Sequence, residues 1–247
     1  MTVCSEVRAP SLNCRNWKRH PPAFTPQYKS TVARSPNQPL IRVRDDQVQS
    51  HGPKFNREDI FPNDWDLLTN FAAQGATALG PRILLHGQVQ DENNRPVPNT
   101  LIECWQANAA GRYRHPVDTY LAPLDPNFGG CGRTLTDHDG RYRFRTVQPG
   151  PYPWPNGPNT WRPAHIHFSI FGHCFAQRLI TQCYFEGDPF LPLCPIFQAI
   201  PDTNAANGLI AKLDISETMP HDTVAYRFDI TLRGRNTTYF EGNSDGT

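Results

Sequence analysis

In the run Trp161-Arg162-Pro163-Ala164-His165-Ile166-His167-Phe168-Ser169-Ile170-Phe171, two histidines stand one residue apart in a stretch otherwise suited to a β-strand. Side chains of a strand alternate faces, so residues two apart point the same way with Cα atoms about 6.5–7 Å from one another. His165 and His167 could therefore converge on one metal ion, or they could be two hydrogen-bonded histidines of a sheet. The choice turns on which other donors reach the same point, and two tyrosines are candidates. Gly111-Arg112-Tyr113-Arg114-His115 sets one in a short basic loop just after a predicted strand. Pro149-Gly150-Pro151-Tyr152-Pro153-Trp154-Pro155 holds the other between prolines, a rigid segment with few conformations to lose. Each is either a packed loop aromatic or a phenolate donor.

Other groupings resolve into turns or surface. Gly129-Gly130-Cys131-Gly132 has no following Lys-Ser/Thr and reads as a tight turn, not a phosphate loop. Asp137-His138-Asp139-Gly140 begins like a calcium loop but lacks the later ligands, and its Asp-Gly ending is a hairpin signal. His115, His138, His173 and His221 lie in polar or turn-like stretches and are expected at the surface, while Glu217 and Asp222 have no partner by spacing. The cysteines (Cys4, Cys14, Cys104, Cys131, Cys174, Cys183, Cys194) are odd in number and form no C-x-x-C, which argues against a disulfide framework or a thiolate zinc site. Cys104, Cys174 and Cys183 sit in apolar runs, as small core residues do.

The elements that must position these residues follow from patterning. Prolines crowd the first 62 residues and disfavour long helices there; the segment 20–28 reads as extended. Residues 63–71 carry a polar cap and an apolar face and are expected to form a short helix. Strands are expected at 83–90, 100–106, 134–136, 141–146, 165–171, 179–185 and 224–232, with a helix at 205–213. Arg141-Tyr142-Arg143-Phe144-Arg145 alternates charge and aromatic as a half-buried strand should. The expected fold is mainly β: an antiparallel β-sandwich over residues 81–247, preceded by a long irregular N-terminal arm over 1–80, with a few short helices.

Composition excludes several classes. With 24 Lys+Arg against 23 Asp+Glu the net charge is +1, so no bulk field calls for nucleic acid or an anionic membrane. Only Lys18, Lys29, Lys54 and Lys212 are lysines; the arginine excess suits fixed, bidentate, interface pairing. No run of about 18 apolar residues occurs, and a soluble, reducing, cytoplasmic setting is expected.

With these features assembled, the sequence resembles the intradiol ring-cleavage dioxygenases. The likeness is carried by Trp105-Gln106-Ala107-Asn108-Ala109-Ala110-Gly111-Arg112-Tyr113, then Asp125-Pro126-Asn127-Phe128-Gly129-Gly130, then Gln148-Pro149-Gly150-Pro151-Tyr152-Pro153-Trp154 and the histidine strand. Gln182-Cys183-Tyr184-Phe185-Glu186-Gly187-Asp188-Pro189 and Tyr226-Arg227-Phe228-Asp229-Ile230 extend it, so that it runs from Pro21 to Phe240. Within the family it is similar to the iron-bearing β chains of members that open protocatechuate.

The resemblance implies a mononuclear non-haem Fe(III) with Tyr113, Tyr152, His165 and His167 as protein ligands. Two hard phenolate donors favour the ferric state over ferrous iron or zinc, and they offset the charge of a buried trivalent ion. It further implies that Tyr152 leaves the metal and takes a substrate proton as internal base, and that Arg162 stabilises charge developing on the ring. Gln182 would be a second polar catalytic residue. Trp154 and Ile196 would wall the pocket, and Tyr28 would contact the carboxylate end of the substrate. The implied partners are protocatechuate, O2 and a homologous α chain in a hetero-oligomer, with neither nucleic acid nor membrane. Relatives acting on catechol or hydroxyquinol are the nearest alternative, although they carry an N-terminal helical segment where this chain has a proline-rich arm. A non-catalytic subunit of the same fold is a further alternative; the α chain of that type lacks the four ligands that stand here.

Overall fold

Strand β1 (Arg82–Gln90) alternates buried with exposed or half-buried residues along its length, and β4 (Arg141–Val147) does the same with Tyr142 and Phe144 inward. This period-two pattern forces one face of each strand onto a core. The computed structural model describes residues 19–39, 57–171, 178–232 and 237–238. Within them β1 and β4 are joined by β2 (Leu101–Gln106), β3 (Cys131–Leu135), β5 (Tyr152–Pro153), β6 (Trp161–Arg162), β7 (His165–Phe171), β8 (Arg178–Phe185), β9 (Ile210–Leu213), β10 (Thr223–Arg227) and β11 (Ile230–Thr231). The helices are short: α1 (Ser30–Arg34), α2 (Pro195–Gln198) and α3 (Thr203–Asn207).

One layer runs β4-β1-β10-β9 and the other β3-β2-β7-β8-β9, with β9 shared between them. Most pairings are antiparallel, as expected for the sandwich, while β1–β10, β1–β11 and β8–β9 are parallel. Leu85, Val89, Phe144 and Val147 of the first layer meet Ile102, Cys104, Ile166, Phe168, Ile170 and Cys183 of the second. Phe168 is the hub: Phe144, Tyr142 and Phe228 pack on it with ring centroids 6.0, 6.1 and 5.7 Å away. Tyr142 keeps its hydroxyl satisfied by donating to the Phe228 carbonyl at 2.6 Å, as a buried phenol must. Cys104, Cys183 and Cys194 are buried free thiols and Cys131 is exposed. Cys4, Cys14, Cys174 and His173 lie outside the described residues. Among the described residues no helix is long and apolar enough to cross a membrane.

The structure corrects several element expectations. Residues 63–71 form turns, not a helix, because backbone groups of 64–67 bond to the sheet. The Leu67 N–H donates to the Arg145 carbonyl at 2.8 Å, and the Arg145 N–H donates to the Trp65 carbonyl at 3.1 Å. Asp66, 4% exposed, anchors this strap by accepting from Arg145 Nε (3.0 Å), Thr69 Oγ1 (2.9 Å) and the Leu68 N–H (3.2 Å). Leu67 and Leu68 thereby enter the core. The expected helix at 205–213 shortens to α3, capped by Asp202 accepting from the Ala205 N–H, and its second half is strand β9. The expected strand at 224–232 breaks between β10 and β11. The Asp137–Gly140 segment is a tight turn with Gly140 at φ +69, but no hairpin. It carries the chain from β3, paired to β2, across to β4, paired to β1.

Candidate active site

Strand β7 lies between β2 and β8, with His165 opposite Tyr184 and His167 opposite both Gln182 and Trp105. Ile166, Phe168 and Ile170 fill the core from one face of β7. The other face therefore presents His165 and His167 together, their ring centroids 4.9 Å apart. His165 is 1% exposed. Its Nδ1 lies 2.7 Å from the Pro163 carbonyl. A carbonyl only accepts, so Nδ1 carries the proton and Nε2 is left with its lone pair. Burial, then the Arg162 guanidinium and His167, hold the His165 imidazole well below its ordinary pKa. His167 is fixed differently, stacked on the Trp105 indole at 5.0 Å with planes 3° apart.

Both tyrosines arrive on loops rooted in neighbouring strand ends. The Tyr113 loop leaves β2 at Gln106, and the Tyr152 loop leaves β4 at Val147. The buried Gln106 ties the roots: its Nε2 donates to the Val147 carbonyl at 2.8 Å and its Oε1 accepts from Thr146 Oγ1 at 2.9 Å. Asn108, 4% exposed, then folds the first loop by accepting from the Ala110 and Arg112 N–H groups and donating to the Pro123 carbonyl. Asp118 Oδ2 accepts the Tyr113 N–H at 2.8 Å. Gly111 and Gly150 let the loops touch. A Cβ on Gly111 would sit 2.3 Å from the Pro151 carbonyl oxygen, and one on Gly150 would sit 2.5 Å from that of Ala109. Tyr152 is then held by the β5–β6 ribbon, in register with Arg162.

The result is one cluster. The Tyr113 and Tyr152 rings meet edge to face at 5.5 Å, Tyr113 lies 6.3 Å from His167, and Tyr152 lies 5.5 Å from His165. Tyr152 Oη is 3.3 Å from His165 Nε2. Two phenols and two imidazoles thus face one another and could hold a single metal ion. Among the described residues no three His, Cys, Asp or Glu side chains gather for that purpose, here or elsewhere, so the phenols are needed to complete the set.

Arg162, 5% exposed, joins this cluster to a second one. Its Nη2 donates to Gln182 Oε1, which also accepts from Tyr184 Oη at 2.9 Å. Its Cζ lies 5.7 Å from the Trp154 ring centroid. Trp154 in turn packs edge to face on Tyr28 at 5.5 Å, beside Ile196 and Cys194. All nine residues singled out from the sequence therefore lie in two adjoining clusters. His115, His138 and His221 are exposed, as expected. Asp222, without a partner by spacing, pairs with Arg82 at 2.9 Å. Sequence reasoning missed Trp105, Asn108, Asp118 and Tyr184. Asn108 and Asp118 carried local signals, each an Asx residue accepting from the N–H two residues on; Trp105 meets His167 only through the pairing of distant strands.

A β-sandwich bearing two histidines on a strand face and two loop tyrosines across from them presents a set of N and O donors able to hold a metal ion. The chain belongs to the intradiol dioxygenase family: a family model described as Dioxygenase matches residues 50–234, and one described as Protocatechuate 3,4-dioxygenase beta subunit N terminal matches residues 14–46. The protocatechuate 3,4-dioxygenase beta chain of Burkholderia cepacia is 50% identical over 230 residues, covering 93% of this chain and 97% of that one. The alpha chain of the Pseudomonas putida enzyme is 34% identical over 165 residues, 66% of this chain and 77% of its own. Among solved structures, catechol 1,2-dioxygenase from Acinetobacter sp. ADP1 matches with a TM-score of 0.50 at 25% identity, covering 71% of this chain and 59% of that one.

Proposed function

We propose that this chain opens protocatechuate with O2 at a mononuclear non-haem Fe(III), giving 3-carboxy-cis,cis-muconate on the β-ketoadipate route of aromatic catabolism. The observation that carries the proposal is the convergence of Tyr113, Tyr152, His165 and His167, drawn from separate stretches, in a chain of this family. The donor set fits the ion: phenolates are hard and anionic, and the imidazole of His165 is held neutral with Nε2 available. Bound there, a ferric ion would draw electron density from a chelated catechol and make a ring carbon reactive toward O2.

The chain's own residues supply the rest. Tyr152, in the phenolate form it would take on a metal, would accept a substrate proton at Oη, which lies 3.3 Å from His165 Nε2. Arg162 is a buried cation locked onto Gln182, so its charge stabilises negative charge on the ring without reorganising. Gln182 is 3% exposed and its Nε2 has no acceptor among the described residues, so a substrate or oxygen acceptor there relieves a donor that is otherwise expensive to bury. Trp154 and Ile196 wall the ring, and Tyr28, brought in by the arm over residues 1–80, meets the ring's carboxylate. The sandwich over residues 81–247 supplies the remaining groups. The N-terminal family match favours protocatechuate over catechol or hydroxyquinol. We further propose a homologous α chain as partner, on the likeness to both chains of one enzyme type, and a reducing cytoplasm as setting, on the free buried thiols.

Oxygen uptake with protocatechuate, catechol and hydroxyquinol, measured side by side, tests the substrate. The iron-loaded protein is expected to be burgundy-red from tyrosinate-to-iron charge transfer. A colourless, iron-replete preparation sinks the phenolate ligands.

A further inference from the structure

We infer that Asn156 is a positioning residue for substrate discrimination, a carboxamide clamp that seats Tyr28 against the pocket wall. This rests on the reading of Tyr28 given above and names the residue through which that contact is set. Asn156 lies on the loop after β5, two residues beyond Trp154, and is 7% exposed. Its Nδ2 donates to the Gln27 carbonyl and its Oδ1 accepts from the Lys29 N–H, both at 2.8 Å. These partners are 129 and 127 residues away in sequence and flank Tyr28 on either side. One side chain thus plays the part of a strand partner, gripping the backbone before and after a single residue. Only a primary carboxamide offers a donor and an acceptor in that geometry, and reversing the amide would set like against like at both contacts.

The clamp acts on the stretch 19–39, which among the described residues is also tied to the body by the Arg19–Asp202 ion pair at 3.2 Å. Helix α1 spans five residues; the side chain of its N-cap Lys29 makes no capping bond, and Asn156 takes the Lys29 N–H. Phe24 and Val32 on either side are exposed. Among the described residues of the arm Tyr28 is the buried aromatic, 9% exposed, with Trp154, Cys194 and Ile196 beneath it. Arg34 lies above it, its guanidinium carbon 4.5 Å from the ring centroid. Because Asn156 and Trp154 ride on one loop, the clamp fixes Tyr28 and Trp154 relative to each other, at the proposed carboxylate end of the ring. The four donors are held by other bonds, so releasing the clamp alters which ring substituent fits while leaving the donors in place.

The test is Asn156→Ala in the full chain with its natural partner. Amide exchange at Lys29 and over 25–32 is expected to accelerate about tenfold or more, while exchange in β7 and the charge-transfer band of the iron-loaded protein stay unchanged. KM for protocatechuate is expected to rise about tenfold with a smaller change in kcat, while KM for catechol, which lacks the carboxylate, moves less than about twofold. In a Tyr28→Ala background the substitution is expected to add almost nothing, since both act through one contact. Unchanged exchange at 25–32 overturns the clamp. Faster exchange with undiminished preference for protocatechuate, or full additivity with Tyr28→Ala, overturns its part in discrimination. Failure of the parent protein to take up oxygen with protocatechuate overturns the substrate reading instead, and the exchange result still decides whether the clamp exists.

Discussion

Gly111→Ala isolates the contact that lets the two tyrosine loops meet. Gly111 has φ +83 and its added Cβ would lie 2.3 Å from the Pro151 carbonyl oxygen, a backbone atom that no rotamer change can move aside. Gly187 provides the internal control, with φ +82 and nothing within 4 Å of its added Cβ. Placing alanine in the left-handed region costs about 1–2 kcal/mol at either position. The gain from a less flexible unfolded chain is also common to both and cancels in the comparison. Only Gly111→Ala meets the steric term, about 1–3 kcal/mol for an overpacked site. Gly187→Ala should therefore lower Tm by a few degrees, and Gly111→Ala should lower it about twice as far, at about 2–4 °C per kcal/mol for a chain of this size. If the clash is relieved by parting the loops, Tyr113 and Tyr152 separate, and red absorbance per iron falls in Gly111→Ala alone. Thermal unfolding followed by circular dichroism, with an iron titration read in the visible, measures both. Equal Tm losses together with undiminished colour in Gly111→Ala would refute the reasoning that close approach of these loops assembles the donors.

Further outcomes follow from individual side chains. Tyr113→Phe and His167→Ala should each lower bound iron severalfold by elemental analysis, whereas the exposed His138→Ala should not; three equal losses would mean general destabilisation. Tyr152→Phe should slow substrate binding in stopped-flow more than it lowers iron content, and unaltered binding kinetics would remove its role as internal base. Asp66→Ala deletes the anchor of the 63–71 strap and should lower stability by about 2–4 kcal/mol in urea unfolding, since a partly buried guanidinium and the Leu68 amide lose their acceptor. Burial pushes the Cys104 and Cys183 thiols well up, so of the described cysteines only the exposed Cys131 should react with a thiol reagent in the native protein. Its surface is exposed, but partial desolvation of the thiol and then Glu103 raise its pKa, so labelling located by mass spectrometry should speed up as pH rises through the alkaline range.

What the sequence made legible was whatever is local. The period-two pattern of 165–171 and of 141–146 returns in the structure as β7 and β4, because one buried face is enough to dictate alternation. The pairing of His165 with His167 on one face follows from the same periodicity. Where reading failed, non-local bonds won. Residues 63–71 carry helical signals, yet the Leu67 N–H donates to the Arg145 carbonyl and the Arg145 N–H to the Trp65 carbonyl, and a short isolated helix cannot compete with pairing to a sheet edge. The turn at 137–140 was legible as a turn, but not its destination, since β3 and β4 find their partners in strands that lie earlier in sequence. Spacing could not reveal that Asn108, Asp118 and Gln106 organise the loops, because their partners are backbone groups rather than matching residue types.

That last class of residue explains how so irregular a set of loops can hold four donors still. Each of them is fixed by at least one contact away from its donor atom. His165 is oriented through Nδ1 by the Pro163 carbonyl, His167 through the face of its ring by Trp105, and Tyr113 through its backbone N–H by Asp118. Tyr152 is held through its backbone by the pairing with Arg162. The donor atoms are thus placed before any ligand arrives, and the ordering entropy is met in folding rather than in binding. Tyr152 differs in one respect. Its support is a two-residue ribbon on which Arg162 is the opposite member, so the phenol expected to move and the cation expected to stabilise charge share a single hinge. A change at either should therefore be felt at the other, whereas Tyr113, pinned by Asn108 and Asp118 on a separate loop, should stay where it is.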